Sequence, residues 1–210
     1  MLCLFDLDGT LIDSEDGITR SVQHALSQLG APIPDDLRAW IGPPLRHNFA
    51  PLLDHDPIRI EQAVAHYHER FQHTGWREHT VYAGIDALIK QLHEAGHRLA
   101  IVTSKTRENA LPIIEQLPFG QLFAKTYTPT PDSAHSEKAS MIAAALRDFA
   151  AAPADTVMIG DRCFDIEGAL ANGVAGIGVL WGFGSREELQ RAGATALVAT
   201  PGQLGALLGI

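Results

Sequence analysis

Cysteine is nearly absent from this chain of 210 residues: there are two, Cys3 and Cys163. That excludes a disulfide framework, and Cys3, inside an apolar run, reads as a small core residue. Basic residues are also scarce, with 16 Lys and Arg against 25 Asp and Glu, for a net charge of −9. So acidic a chain is a poor general ligand for nucleic acid or for an anionic membrane surface. If it handles anions, it must gather positive charge locally. No apolar run reaches the roughly 20 residues of a membrane span. Asp6 and Asp8 interrupt any secretory apolar region, so no signal peptide is expected and a cytoplasmic location is. Internal repeats and low-complexity tracts are missing too. What remains is an ordinary globular composition, 46% hydrophobic and 20% charged. The length suffices for one domain plus an insertion.

The opening residues Met1 to Phe5 are apolar and read as a short buried strand, which Asp6-Leu7-Asp8-Gly9-Thr10-Leu11 follows. Two carboxylates two positions apart on an extended backbone point the same way. Asp6 and Asp8 would then share the carboxyl end of the first strand, where open α/β sheets place their ligands. Two like charges that close are costly without a cation. Mg²⁺ is the hard-ligand answer, since it takes one or two carboxylates plus phosphate oxygens and water. Gly9 and Thr10 add backbone and hydroxyl donors suited to an anion.

After Asp13 the grammar turns helical. Ile18, Val22, Ala25, Leu26 and Leu29 form one stripe, with Gly30 as a stop. Asp35 and Asp36 can cap a short helix through Trp40-Ile41. Gly42-Pro43-Pro44 is a stiff break, then helices are expected over Leu45 to Leu53 and from Pro57 to about His73. Seven of the ten histidines fall in this block: His24, His47, His55, His66, His68, His73 and His79. His66 and His68 are two apart, so a helix does not aim them at one ion, and they read as solvated surface.

From Val81 strands and helices alternate. Strands are expected at Arg98 to Thr103, Leu122 to Thr128, Thr156 to Gly160, Gly176 to Leu180 and Ala196 to Ala199. Helices are expected between them, including Glu108 to Gln116, Glu137 to Phe149 and Phe164 to Asn172. Such alternation predicts a parallel sheet with both faces covered. Thr103-Ser104-Lys105 follows the second core strand, Lys138 opens a helix, and Gly160-Asp161-Arg162-Cys163-Phe164-Asp165 follows another strand. Each signal alone has a plain explanation as a cap or a surface residue. In a parallel sheet, however, they share one rim.

Taken in order, DLDGTLIDS, the Thr after a strand, the Lys and GDRCFD resemble the four motifs of the haloacid dehalogenase-like phosphatase superfamily. The pieces GPPL, VTSK, SEKA and GIGVLWGFGSREEL look most like its phosphoglycolate phosphatase and 5′-nucleotidase branch. The resemblance implies an α/β, Rossmann-like parallel sheet over residues 1–14 and 81–210. It also implies a small all-helical cap over residues 15–80, inserted after the first strand. It implies a Mg²⁺-dependent phosphatase acting on a small-molecule phosphate ester, with no nucleic-acid or membrane partner. Asp6 would be the nucleophile and Asp8 the general acid and base. Thr103 and Lys138 would stabilise phosphoryl oxygens. Asp6, the Asp8 carbonyl, Asp161 and Asp165 would hold the metal. Gly9, Thr10, Ser104, Lys105 and, from the cap, Arg46 are the expected substrate contacts. A phosphomutase would share every motif, and a non-catalytic regulatory protein would have lost some of them. The chain departs from the pattern at Thr128 to Asp132 and at Cys163-Phe164.

Overall fold

The computed structural model describes residues 1–129 and 138–210. The chain divides into two compact units, one of Met1–Asp13 with Val81–Ile210 and one of Ser14–Thr80.

The first unit is built on β1 (Leu2–Phe5). All four of its residues are fully buried, as a strand covered on both faces requires. A short strand β2 (Ile12–Asp13) follows. The second unit is helical, with α1 (Glu15–Gln28), α2 (Leu45–Phe49) and α3 (Pro57–His73). Asp56 caps α3, its Oδ1 accepting from the N–H groups of Ile58 and Arg59, and Pro57 takes the first turn, where its missing N–H costs nothing. The expected helix through Trp40-Ile41 is only one 3₁₀ turn, Arg38–Trp40. The expected helix over Leu45 to Leu53 breaks after Phe49 into a 3₁₀ turn over Ala50–Leu53. Pro51 cannot donate within it, and Asp54 and His55 then turn left-handed at φ 55° and 56°. Helices α1 and α3 share the unit's apolar core through Val22, Ala25, Leu26, Val64, Tyr67 and Phe71.

Next in the chain, where the second unit ends and the first resumes, β3 (Thr80–Val81) pairs with β2 in a two-stranded ribbon. The remaining order is α4 (Ile85–Glu94), β4 (Arg98–Val102), α5 (Arg107–Gln116), β5 (Lys125–Tyr127) and α6 (Lys138–Asp148). Then come β6 (Thr156–Gly160), α7 (Cys163–Leu170), β7 (Ala175–Val179), α8 (Arg186–Arg191), β8 (Ala196–Val198) and α9 (Pro201–Leu208). The strand expected from Leu122 keeps only Lys125–Tyr127, because Gly120–Leu122 forms a 3₁₀ turn.

Six strands make one parallel sheet in the order β5-β4-β1-β6-β7-β8. Leu2, Leu4, Ala100, Val102 and Met158 face Met141, Ile142 and Ala145 of α6 and Ala169 of α7. Period-two alternation sends Phe5 to the other face, where its ring meets Phe123 edge-on at 6.0 Å. The chain moves from β1 to β4 on one side and to β6 on the other, so β1 lies at the topological switch point where open α/β sheets bind ligands. Phe5 pairs in register with Ile101 and with Ile159. Asp6, Thr103 and Asp161 therefore emerge together at the carboxyl rim.

Candidate active site

Asp6 leaves β1 with its N–H still bonded to the Ile159 carbonyl at 2.9 Å, so the strand fixes its backbone. Its carboxylate, with those of Asp161 and Asp165, forms a buried trio whose oxygens lie within 4.8 Å of one another. Three acids in so small a volume repel, and burial strips them of water. Burial first, then Asp165 acting against Lys138, pushes the Asp6 carboxyl up to about 7. Burial, then the charges of Asp165 and Asp6, raise Asp161 well above the ordinary carboxylate range.

Among the described residues, Lys138 is the cation in direct contact with this cluster. Lys138, the first residue of α6, is 5% exposed and places Nζ 2.7 Å from Asp6 Oδ1 and 2.6 Å from Asp165 Oδ1. It also donates to the Val102 carbonyl at 2.8 Å. A lysine at a helix start opposes the helix dipole. The two carboxylates outweigh that and the cost of burial, raising its ammonium to about 12.

The other acids are tied down in turn. Asp165 Oδ2 accepts from the Arg162 N–H at 3.0 Å, closing a capping box at the start of α7. Asp161 Oδ1 accepts from the Thr10 hydroxyl at 3.3 Å, and its Oδ2 accepts from the Phe183 N–H at 2.8 Å. Gly9 turns at φ 79°, and a Cβ there would fall 2.2 Å from Asp161 Oδ2, so only glycine lets the turn pass this close. A Cβ at Gly160 would likewise meet Asp165 Cγ at 2.2 Å. Asp8 takes a separate partner. Its Oδ2 pairs with Lys105 Nζ at 3.1 Å, while its buried Oδ1 has no hydrogen-bond partner among the described residues. Thr103 is buried, and its hydroxyl accepts from the Lys105 N–H at 3.2 Å. A hydroxyl that accepts can still donate.

The rim thus brings together Asp6, Asp8, Gly9, Thr10, Thr103, Lys105, Lys138, Asp161 and Asp165. Ser104 is exposed next to them. Arg46 belongs to the helical unit, where it is exposed and holds Glu61 through two hydrogen bonds of 2.6 and 2.8 Å. Of the departing stretch Thr128 to Asp132, residues 130–132 lie outside the described residues, as do Ser136 and Glu137.

Three features were not read from the sequence as parts of the site. Phe183 supplies an N–H to Asp161, and Trp181 Nε1 donates to the Thr10 carbonyl at 3.0 Å, so the loop after β7 braces two motif residues. Glu188 of α8 accepts from both Arg162 Nε and the Cys163 N–H, each at 2.9 Å, and steadies the start of α7. The glycines of Gly182-Phe183-Gly184 were the available signal, since a backbone pressed against a site needs residues without side chains.

The sequence profile of haloacid dehalogenase-like hydrolases matches residues 3–179. The chain belongs to that family. It is 44% identical over 189 residues to a 5′-nucleotidase of Pseudomonas aeruginosa, covering 89% of this chain and 86% of that protein. It is 34% identical over 220 residues to the tyrosine-protein kinase PtkA of Mycobacterium tuberculosis, covering 100% of this chain and 72% of that one. The crystal structure of a "predicted phosphatase" from Clostridium acetobutylicum superposes with a TM-score of 0.91 at 36% identity, over 99% of this chain and 97% of the other. Within the family this chain is a phosphatase, a phosphoric monoester hydrolase. No helix among the described residues is long and apolar enough to cross a membrane.

The donor set suits a hard divalent ion. Three buried carboxylates offer only oxygen, one lysine cannot neutralise all of them, and Asp8 Oδ1 is buried without a partner among the described residues. Oxygen-only ligation with few protein ligands is the chemistry of Mg²⁺ rather than of zinc or copper.

Proposed function

We propose that the chain is a Mg²⁺-dependent phosphatase that hydrolyses small-molecule phosphate monoesters through an aspartyl-phosphate on Asp6. The observation that carries this reading is the buried trio of Asp6, Asp161 and Asp165 with Lys138 bridging two of them. Phosphoryl transfer asks a protein for in-line positioning and for charge neutralisation, and little else.

In this account the Asp6 carboxylate attacks phosphorus. A new P–O bond forms to Asp6 as the bond to the alkoxide oxygen breaks. Asp8 gives that leaving oxygen its proton, then takes a proton from the water that attacks the phosphorus of the aspartyl-phosphate. Lys105, 3.1 Å from Asp8 Oδ2, orients the Asp8 carboxyl between those two tasks. Thr103 and Lys138 donate to the phosphoryl oxygens as charge spreads over them. Asp161 and Asp165 would hold Mg²⁺ with Asp6 and the Asp8 carbonyl. The ion supplies the positive charge that lets an anionic nucleophile meet an anionic substrate. Gly9 and Thr10 shape the turn that receives the phosphoryl group.

The helical unit, residues 15–80 by the sequence reading, is proposed as a cap that selects the ester, with Arg46 as its contact to the leaving group. Phosphoglycolate, a nucleoside monophosphate and a sugar phosphate are the substrate classes to rank. The test is phosphate release from p-nitrophenyl phosphate and from such a panel, with Mg²⁺ and with excess chelator. Chelator should abolish release and Mg²⁺ should restore it. Full activity in chelator would overturn the metal dependence, and a requirement for a bisphosphate activator would mark a phosphomutase instead.

A further inference from the structure

A second group of metal-ligating side chains lies wholly within the helical unit and takes no part in the chemistry above. His24 projects from α1, and His66 and Glu69 from α3. The ligand atoms they offer all lie within 4.8 Å of one another. His66 and Glu69 are three residues apart and so share a helix face. Packing of α1 on α3 then sets the His24 ring against the His66 ring, edge to face, with centroids 6.4 Å apart. His68 does not join them, because two positions along a helix turn a side chain to another face. From the sequence, His66 is weighed only against His68 and both read as solvated surface, because His24 comes beside His66 only through packing.

We propose that His24, His66 and Glu69 bind one divalent ion of the zinc class and so cross-link α1 to α3. The spacing supports it. His66 Nδ1 and Glu69 Oε2 are 3.4 Å apart, and two ligands bound at zinc's usual distances to one tetrahedral ion are separated by about 3.4 Å. His24 lies near enough that a side-chain rotation supplies the third ligand. Two imidazoles and one carboxylate make a mixed nitrogen and oxygen set, which favours zinc over the hard, oxygen-seeking Mg²⁺. His24 and His66 are partly buried and Glu69 is exposed, so an ion can enter from solvent and keep water as its fourth ligand. An ion held there would tie together the two longest helices of the unit.

The test is calorimetric titration of Zn²⁺ into the full chain in excess Mg²⁺. Asp161→Asn serves as the background, because it removes one carboxylate of the catalytic cluster, where zinc would also bind. One equivalent should bind, and His24→Gln or His66→Gln should each weaken that binding by about tenfold or more. His68→Gln should leave it unchanged, and zinc should raise the melting temperature of the background protein but not of its His24→Gln derivative. Melting curves without zinc confirm that each variant is folded. Zinc binding that survives both histidine substitutions, or that His68→Gln weakens equally, would overturn the proposal. So would no binding at all, and then the trio is a hydrogen-bonded surface contact.

Discussion

Lys138→Met keeps an unbranched side chain one atom shorter and deletes its charge. In the metal-free protein this removes contacts of 2.7 Å to Asp6, 2.6 Å to Asp165 and 2.8 Å to the Val102 carbonyl. It leaves two of the three buried carboxylates, Asp6 and Asp165, without that partner. Breaking a buried ion pair by removing one member costs about 3–5 kcal/mol. For a chain of this length each kcal/mol is worth roughly 2–4 °C, so a fall in melting temperature of about 6–20 °C is expected. Burial raises the Asp6 carboxyl to about 7, so its protonation relieves part of this cost and the fall should be smaller at pH 5 than at pH 8. Added Mg²⁺ should restore part of it by supplying charge. Activity should fall further than stability explains. One preorganised charge contact at the phosphoryl oxygens is worth about 3–4 kcal/mol of barrier, or roughly a hundredfold to a thousandfold in kcat. Differential scanning calorimetry with and without chelator, and kcat on p-nitrophenyl phosphate below both melting temperatures, give the two numbers. Lys90→Ala and Lys125→Ala are the controls, since each pairs with an acid at the exposed surface, Asp86 and Asp148. Such pairs are worth little. A Lys138→Met protein with kcat within tenfold of the parent and an unchanged melting temperature would refute the reasoning.

In the helical unit, Glu78 accepts from Arg70 at 2.9 and 3.0 Å and from Arg20 at 3.1 Å, and the Arg70 hydrogen bonds hold its carboxyl below the usual range. A depressed carboxyl pKa adds stability above its unfolded value near 4.5, and that stability is lost as pH falls through the folded value. Glu78→Gln should therefore melt lower than the parent at pH 7, with the gap closing toward pH 3; a gap independent of pH would contradict this. Arg46→Ala should change the ranking of phosphate esters through kcat/KM while leaving p-nitrophenyl phosphate within a few-fold. Equal losses on both substrate types would make Arg46 structural, and no loss on either would leave it as the surface partner of Glu61. Gly160→Ala should cost activity with little recovery from added Mg²⁺, because a Cβ there collides with Asp165 itself; a fully active Gly160→Ala protein would show that this packing gives way.

The candidate rim could be read from the sequence because chemistry-bearing residues followed apolar strands, and a parallel sheet carries every strand end to one edge. Asp6, Thr103 and Asp161 stand there because Phe5, Ile101 and Ile159 pair in register. What could not be read depends on packing between distant segments. Nothing local to Lys105 says that it will pair with Asp8, and nothing in the motif of Asp161 names Phe183 as its hydrogen-bond donor. Arg46 was marked for its place after a rigid turn, but its bidentate bond to Glu61 depends on where α3 lies. The same holds for His24 and His66, 42 positions apart in the chain and joined only by the packing of α1 on α3. Element ends slipped where proline or a left-handed residue intervened, as at Pro51 and Asp54. The apolar periodicity continues there, although the backbone cannot.

The claim that most needs testing is that Asp6 itself carries the phosphoryl group. Rapid acid quench of the enzyme turning over a ³²P-labelled phosphate ester, followed by peptide mapping, measures this directly. Label should appear on the peptide containing Asp6 within the first turnover and decay as phosphate is released. Asp6→Asn, folded and still able to bind Mg²⁺, should show neither label nor turnover. Label on any other residue, or steady phosphate release by folded Asp6→Asn, would contradict the account.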